Sequence, residues 1–217
     1  MSELSYLDEL LVEFHNECDE SIKLYVSSVK LHYDVEDFDD RMFEMLIEHS
    51  VLKLFAKWEY FLEKVFIAYM LGEKSAQGDA VGRFVFPNDE NHAYRIVKSV
   101  NRYPEWSNVD DVLTNAENFF ENSGAFAILR TMKSSLTELK KVRNGIAHIS
   151  KSAKKDFDNL VLGKLGKVPT GITPAKFLVN YKIGKKRNDP TFFEFYVEYL
   201  KNVASLLIEF NAEQNVT

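Results

Sequence analysis

Lys140-Lys141-Val142-Arg143-Asn144-Gly145-Ile146-Ala147-His148 closes a run in which Phe126, Ile128, Leu129, Met132, Leu136, Leu139, Val142 and Ile146 recur mostly three or four residues apart. That spacing predicts an amphipathic helix starting near Ala125, set off from what precedes it by Ser123-Gly124. Arg143 and Asn144 fall beside the apolar stripe, where their side chains can face a groove. Arginine brings a permanent planar cation that matches a phosphate, and histidine exchanges a proton near neutral pH. The stretch therefore combines a phosphate holder with a proton carrier, the pairing that phosphodiester chemistry needs.

Geometry constrains that pairing. Side chains advance about 100° per residue around a helix, so Arg143 and His148 stand roughly 140° apart on a straight one. Asn144 and His148, at i and i+4, share a face, and Lys140 lies one turn back on the same stripe. Two arrangements would join arginine to histidine. The helix opens near His148, with Gly145 as the point where the backbone loosens, or a second copy completes the site across a twofold axis. The second is the preferred expectation.

Outward from this stretch, apolar periodicity organises most of the chain as helix. Leu7, Leu10, Phe14, Cys18, Tyr25, Val26, Val29 and Tyr33 mark an amphipathic helix over 3–33, on which His15 and His32 read as surface or capping groups. An acidic turn over 34–40 leads to a second helix over 41–71, whose broad apolar face, including Met42, Met45, Phe55 and Trp58, belongs at the centre of a bundle. Glu59 on it reads as a solvent-facing glutamate, with the orientation of Arg143 or His148 as its alternative role. Residues 72–91 form a connecting excursion, followed by short helices over 92–101 and 109–120, the latter capped by Ser107 or Asn108. Beyond His148 come a polar basic link over 150–155, a short helix over 157–165 and a loop over 166–189. A final aromatic helix over 190–210 has Pro190 in its first turn. The reading is a single all-α domain spanning 1–217.

Composition limits the functional classes. With 46% hydrophobic residues, 17 Phe and 10 Tyr against only 5 Pro and 9 Gly, the chain can bury a substantial core. A single cysteine, Cys18, excludes an internal disulfide and any multi-cysteine zinc site, and suits a cytoplasmic protein. No secretory leader or membrane span is expected. No phosphate loop, His-Glu-x-x-His or nucleophile elbow occurs, so neither metal nor other cofactor is expected. The formal net charge is −6, but residues 130–187 carry fifteen Lys or Arg against three acids, a net of +12. A basic tract attracts phosphates whatever the total charge. Lys140, Lys141, Lys151, Lys154, Lys155, Lys185, Lys186 and Arg187 are its candidate RNA contacts.

Arg143-Asn144-x-x-x-His148 resembles the R-x(4 to 6)-H signature of the HEPN superfamily, in which a polar residue follows the arginine. The surrounding Val142 to His148 looks most like the RiboL-PSP HEPN subgroup and more distantly like HEPN toxins. With Trp58-Glu59-Tyr60-Phe61 upstream and the aromatic helix downstream, the resemblance spans roughly residues 40–212. It implies a HEPN-like helical bundle, here with an extra N-terminal helix and short connecting helices. It also implies a metal-independent endoribonuclease acting as a homodimer, with two motifs facing one cleft, in a toxin, antitoxin-regulated or antiphage setting. Arg143 would hold the phosphate, His148 would carry the proton, and Asn144 would orient the imidazole or donate to the phosphate. The alternative reading is a noncatalytic helical module that binds RNA, a nucleotide or a partner protein. In it, Arg143 caps or salt-bridges a helix end and His148 is an ordinary interface histidine.

Overall fold

The computed structural model describes residues 4–99 and 104–212, and among them the chain is all-α, with eight helices, a 3-10 segment, isolated bridges and no strand. In order these are α1 (Tyr6–Asp34), α2 (Asp40–Leu71), α3 (Glu90–Ser99), α4 (Val109–Phe119), the 3-10 segment Glu121–Ile128, α5 (Leu129–Ala147), α6 (Lys151–Leu165), α7 (Pro174–Asn180) and α8 (Phe192–Ile208). No described helix is long and apolar enough to cross a membrane. Contacts divide the chain into two compact units. One comprises the chain up to His15, Lys57–Leu136 and the chain from Lys201 onward; the other comprises Asn16–Ala56 and Thr137–Leu200. The expected end of the third helix at Asn101 lies outside the described residues.

In the first unit Phe66 is fully buried and meets Trp106, Phe119, Phe120 and Phe126 at centroid distances of 4.9 to 6.0 Å. Aromatic rings in such tilted and edge contacts supply much of a small core. α2 ends where Gly72 takes a left-handed φ of 98° and Arg83 Nη1 donates to the Met70 carbonyl at 2.9 Å. A cation thus meets the negative end of the helix dipole. Asn108 caps α4 as expected, its Oδ1 accepting from the Asp110 N–H at 3.2 Å. The break expected at Ser123-Gly124 is sharper than a simple turn: Asn122 and Ser123 both take left-handed backbone, at φ 50° and 66°. Buried Ser123 is held there by Arg130 Nη2, which donates to its Oγ at 2.7 Å. α5 consequently starts at Leu129 rather than Ala125.

The second unit contains the candidate residues. Phe177 stacks on Phe192 at 4.4 Å and meets Phe157 edge-on at 5.9 Å, while Phe55, Leu139, Val142, Leu160 and Leu200 are buried. Three boundaries differ from the sequence reading, each because of a cap. Ser150 Oγ accepts from the Ala153 N–H at 3.1 Å, so residues 151–155 open α6 instead of forming a link. Thr173 Oγ1 accepts from the Lys176 N–H at 3.1 Å and Pro174 occupies the first turn, making α7 inside the expected loop. Thr191 and Glu194 bond each other's backbone N–H reciprocally, at 2.8 and 3.2 Å, so Pro190 precedes the start of α8. Val26, Tyr33, Met42 and Met45, assigned to apolar faces, are exposed.

Candidate functional site

The end of α5 is anchored by Leu139 and Val142, both buried, which turn the adjacent Arg143 and Asn144 to a half-buried position. The Arg143 guanidinium stands over the ring of Phe55 on α2, 5.8 Å from its centroid. A cation so placed is drawn to the negative face of the ring, by about 0.5–1 kcal/mol where water still reaches it. Arg143 Nη1 donates to Asn144 Oδ1 at 3.0 Å and lies 3.4 Å from His148 Nε2. Among the described residues no acceptor is found for its Nε or Nη2.

Arg143 and His148 therefore approach each other within one chain, without a second copy to join them. His148 N–H still bonds the Asn144 carbonyl at 3.0 Å, so His148 keeps the helical register just past the end of α5 at Ala147, and the two side chains meet across this last turn. Gly145 is not the loosening point. It stays helical, and a Cβ there would lie 3.3 Å from Phe157 Cβ and 3.4 Å from Pro174 Cγ, so the glycine lets α6 and α7 approach α5.

His148 and Ile149 are exposed, and α6 begins at Lys151, placing the positive end of its dipole within three residues of the imidazole. Lys151, Lys154 and Lys155 are exposed on the first turns of α6, with Lys154 paired to Asp158 at 3.4 Å. Lys140 and Lys141 are half-buried one turn before Arg143. The acid nearest in sequence, Glu138, is engaged by Lys164 at 2.7 Å and by the Tyr196 hydroxyl at 3.2 Å. Burial, then Glu138, push that hydroxyl well above the usual tyrosine range. Lys185, Lys186 and Arg187 occupy a separate exposed loop tied by its own contacts, Lys182 Nζ to the Arg187 carbonyl and the Lys186 N–H to Asp189 Oδ2 at 2.7 Å. Glu59 belongs to the first unit.

Sequence reasoning missed Phe55 as the support under Arg143, because nothing in either stretch signals a pairing between two distant helices. It also missed the grouping of His32, which lies with its Nε2 3.3 Å from Asp40 Oδ1 and its ring stacked on Phe43. The seven residues between His32 and Asp40 cross a helix break, so no helical spacing relates them. Chemically, the α5 terminus sets a half-buried guanidinium beside an exposed histidine, suited to an anionic ligand that also exchanges a proton. The chain matches no known family model, no curated protein and no solved structure.

Proposed function

We propose that the chain is a metal-independent, HEPN-like endoribonuclease that acts as a homodimer, with two copies of the Arg143/His148 motif facing one composite cleft. The observation that most supports the reading is the 3.4 Å approach of Arg143 Nη1 to His148 Nε2 beside an exposed surface. RNA supplies its own nucleophile, the 2′-hydroxyl next to the scissile phosphate. His148 takes that proton on Nε2 once Arg143 Nη1 turns from it to the phosphate, as the O2′–P bond forms and the P–O5′ bond breaks. Arg143 holds the phosphoryl oxygens with charge-assisted hydrogen bonds as their charge grows. His148 of the second copy returns a proton to the leaving O5′. The products are a 2′,3′-cyclic phosphate and a 5′-hydroxyl.

Asn144, bonded to Arg143 at 3.0 Å, fixes the guanidinium in this scheme. Lys140, Lys141, Lys151, Lys154 and Lys155 draw the RNA backbone to the motif, and Lys185, Lys186 and Arg187 extend the basic tract. A toxin-like or antiphage role, restrained by an antitoxin or other regulatory protein, follows from the resemblance alone. The competing reading is a noncatalytic module, and one observation favours it: the Arg143 contacts with Phe55 and Asn144 are also those of a purely structural arginine. Incubation with single-stranded RNA in EDTA separates the two. The nuclease reading expects cleavage by the native chain and its loss in both Arg143→Ala and His148→Ala with the fold retained. Absence of cleavage by the native dimer, or undiminished cleavage in both variants, would favour the module.

A further inference from the structure

A cleft of about 260 Å³ opens in the second unit between the end of α1, the start of α2 and α7. Its lining combines aromatic and carboxylate groups. His32 stacks on Phe43 with centroids 5.0 Å apart and meets Tyr33 edge-on at 5.8 Å, while Tyr33 itself is 83% exposed. Asp40 Oδ1 lies 3.3 Å from His32 Nε2, yet the Asp40 side chain remains 80% exposed. Deeper in, Glu44 accepts from Thr173 Oγ1 at 2.8 Å and pairs with Lys176 Nζ at 3.1 Å. An adjoining open depression shares His32, Tyr33 and Asp40 with the cleft and adds Asp34, Glu36 and Asp39.

We infer that this cleft binds an organic cation, a guanidinium or alkylammonium group, between its aromatic faces and the carboxylates of Asp40 and Glu44. Aromatic faces attract a cation through their quadrupole, and carboxylates supply charge-assisted acceptors for its N–H groups. The acid-lined rim repels a phosphate-bearing ligand at the same place. One turn further along α2, the Glu48 carboxyl is held above its ordinary range by burial and by Glu44. None of the Arg143, Asn144 or His148 side chains lines the cleft, so the assignment stands apart from the nuclease reading.

The test is calorimetric and NMR titration of the full chain with Nα-acetyl-arginine amide, with spermidine and with adenosine monophosphate. Saturable binding of at least one cation is expected, weakened about two- to fivefold in Tyr33→Ala and Asp40→Asn, as loss of one exposed cation contact implies. Both side chains are largely exposed, so these variants keep the fold. Stronger binding of the arginine amide assigns the site to a basic side chain of a partner polypeptide; stronger binding of spermidine assigns it to a free polyamine. Failure of both cations to saturate, cation binding unchanged in both variants, or binding of the nucleotide that depends on Tyr33 would each overturn the proposal.

Discussion

Arg143 Nη1 lies 3.4 Å from His148 Nε2 although the residues are five positions apart at the end of one helix. A guanidinium only donates, so a hydrogen bond across this gap uses the Nε2 lone pair and leaves the imidazole proton on Nδ1. Side-chain ¹⁵N spectroscopy on the neutral imidazole should find His148 chiefly as the Nδ1–H tautomer, and Arg143→Gln should shift the ratio. A dominant Nε2–H form in the native chain would show that the contact is not a hydrogen bond.

Ser150 joins the candidate site to α6 by capping it, its Oγ accepting from the Ala153 N–H at 3.1 Å. Loss of such a cap typically costs about 1 kcal/mol. Ser150→Ala should lower stability by about that amount and speed amide exchange over residues 151–155, with little change elsewhere. Unchanged exchange in the first turn of α6 would place the stabilisation of that turn elsewhere.

Gly145 sits where helix propensity and packing oppose each other. Alanine would gain about 1 kcal/mol of propensity, but its Cβ would press on Phe157 and Pro174 at 3.3 and 3.4 Å. The two effects roughly cancel for alanine, whereas a branched side chain has no room. Gly145→Val should therefore destabilise by about 1–3 kcal/mol in urea unfolding. A neutral or stabilising Gly145→Val would mean that α6 and α7 yield at this point.

Glu48 gives a pH signature. Burial first, and Glu44 second, hold its carboxyl above the ordinary glutamate range in the folded chain. A raised folded pKa means that the folded state binds the proton more tightly. Its contribution to stability is present below the unfolded pKa and is lost as pH rises through the folded value. Glu48→Gln should then raise Tm at neutral pH, with the gain shrinking as pH falls into the glutamate range. A gain that is absent or independent of pH would contradict the assignment.

Helix content was legible because Leu139, Val142 and their counterparts on other helices repeat at the helical period, which survives in any helix that buries one face. The boundaries were less so, since caps decide them. Ser150 and Thr173 look like ordinary polar residues among lysines and prolines, and only their bonds to the N–H groups of Ala153 and Lys176 turn them into helix starts. At the candidate site, residue types and spacing identified Arg143, Asn144 and His148. The mode of convergence was hidden, because the angle between positions on a helix does not say how far a long arginine side chain reaches across the last turn. The support of Arg143 by Phe55 and the grouping of His32 with Asp40 and Phe43 depend on tertiary packing and leave no periodic trace.

Product-end analysis of an unstructured RNA, incubated with the full chain in EDTA, tests the central claim most directly. The account predicts 2′,3′-cyclic phosphate and 5′-hydroxyl ends from the native chain, with the rate reduced about 10²–10⁴-fold in His148→Ala and about 10²–10³-fold in Arg143→Ala. Ends bearing a 5′-phosphate, or rates in both variants equal to the native rate, would contradict it.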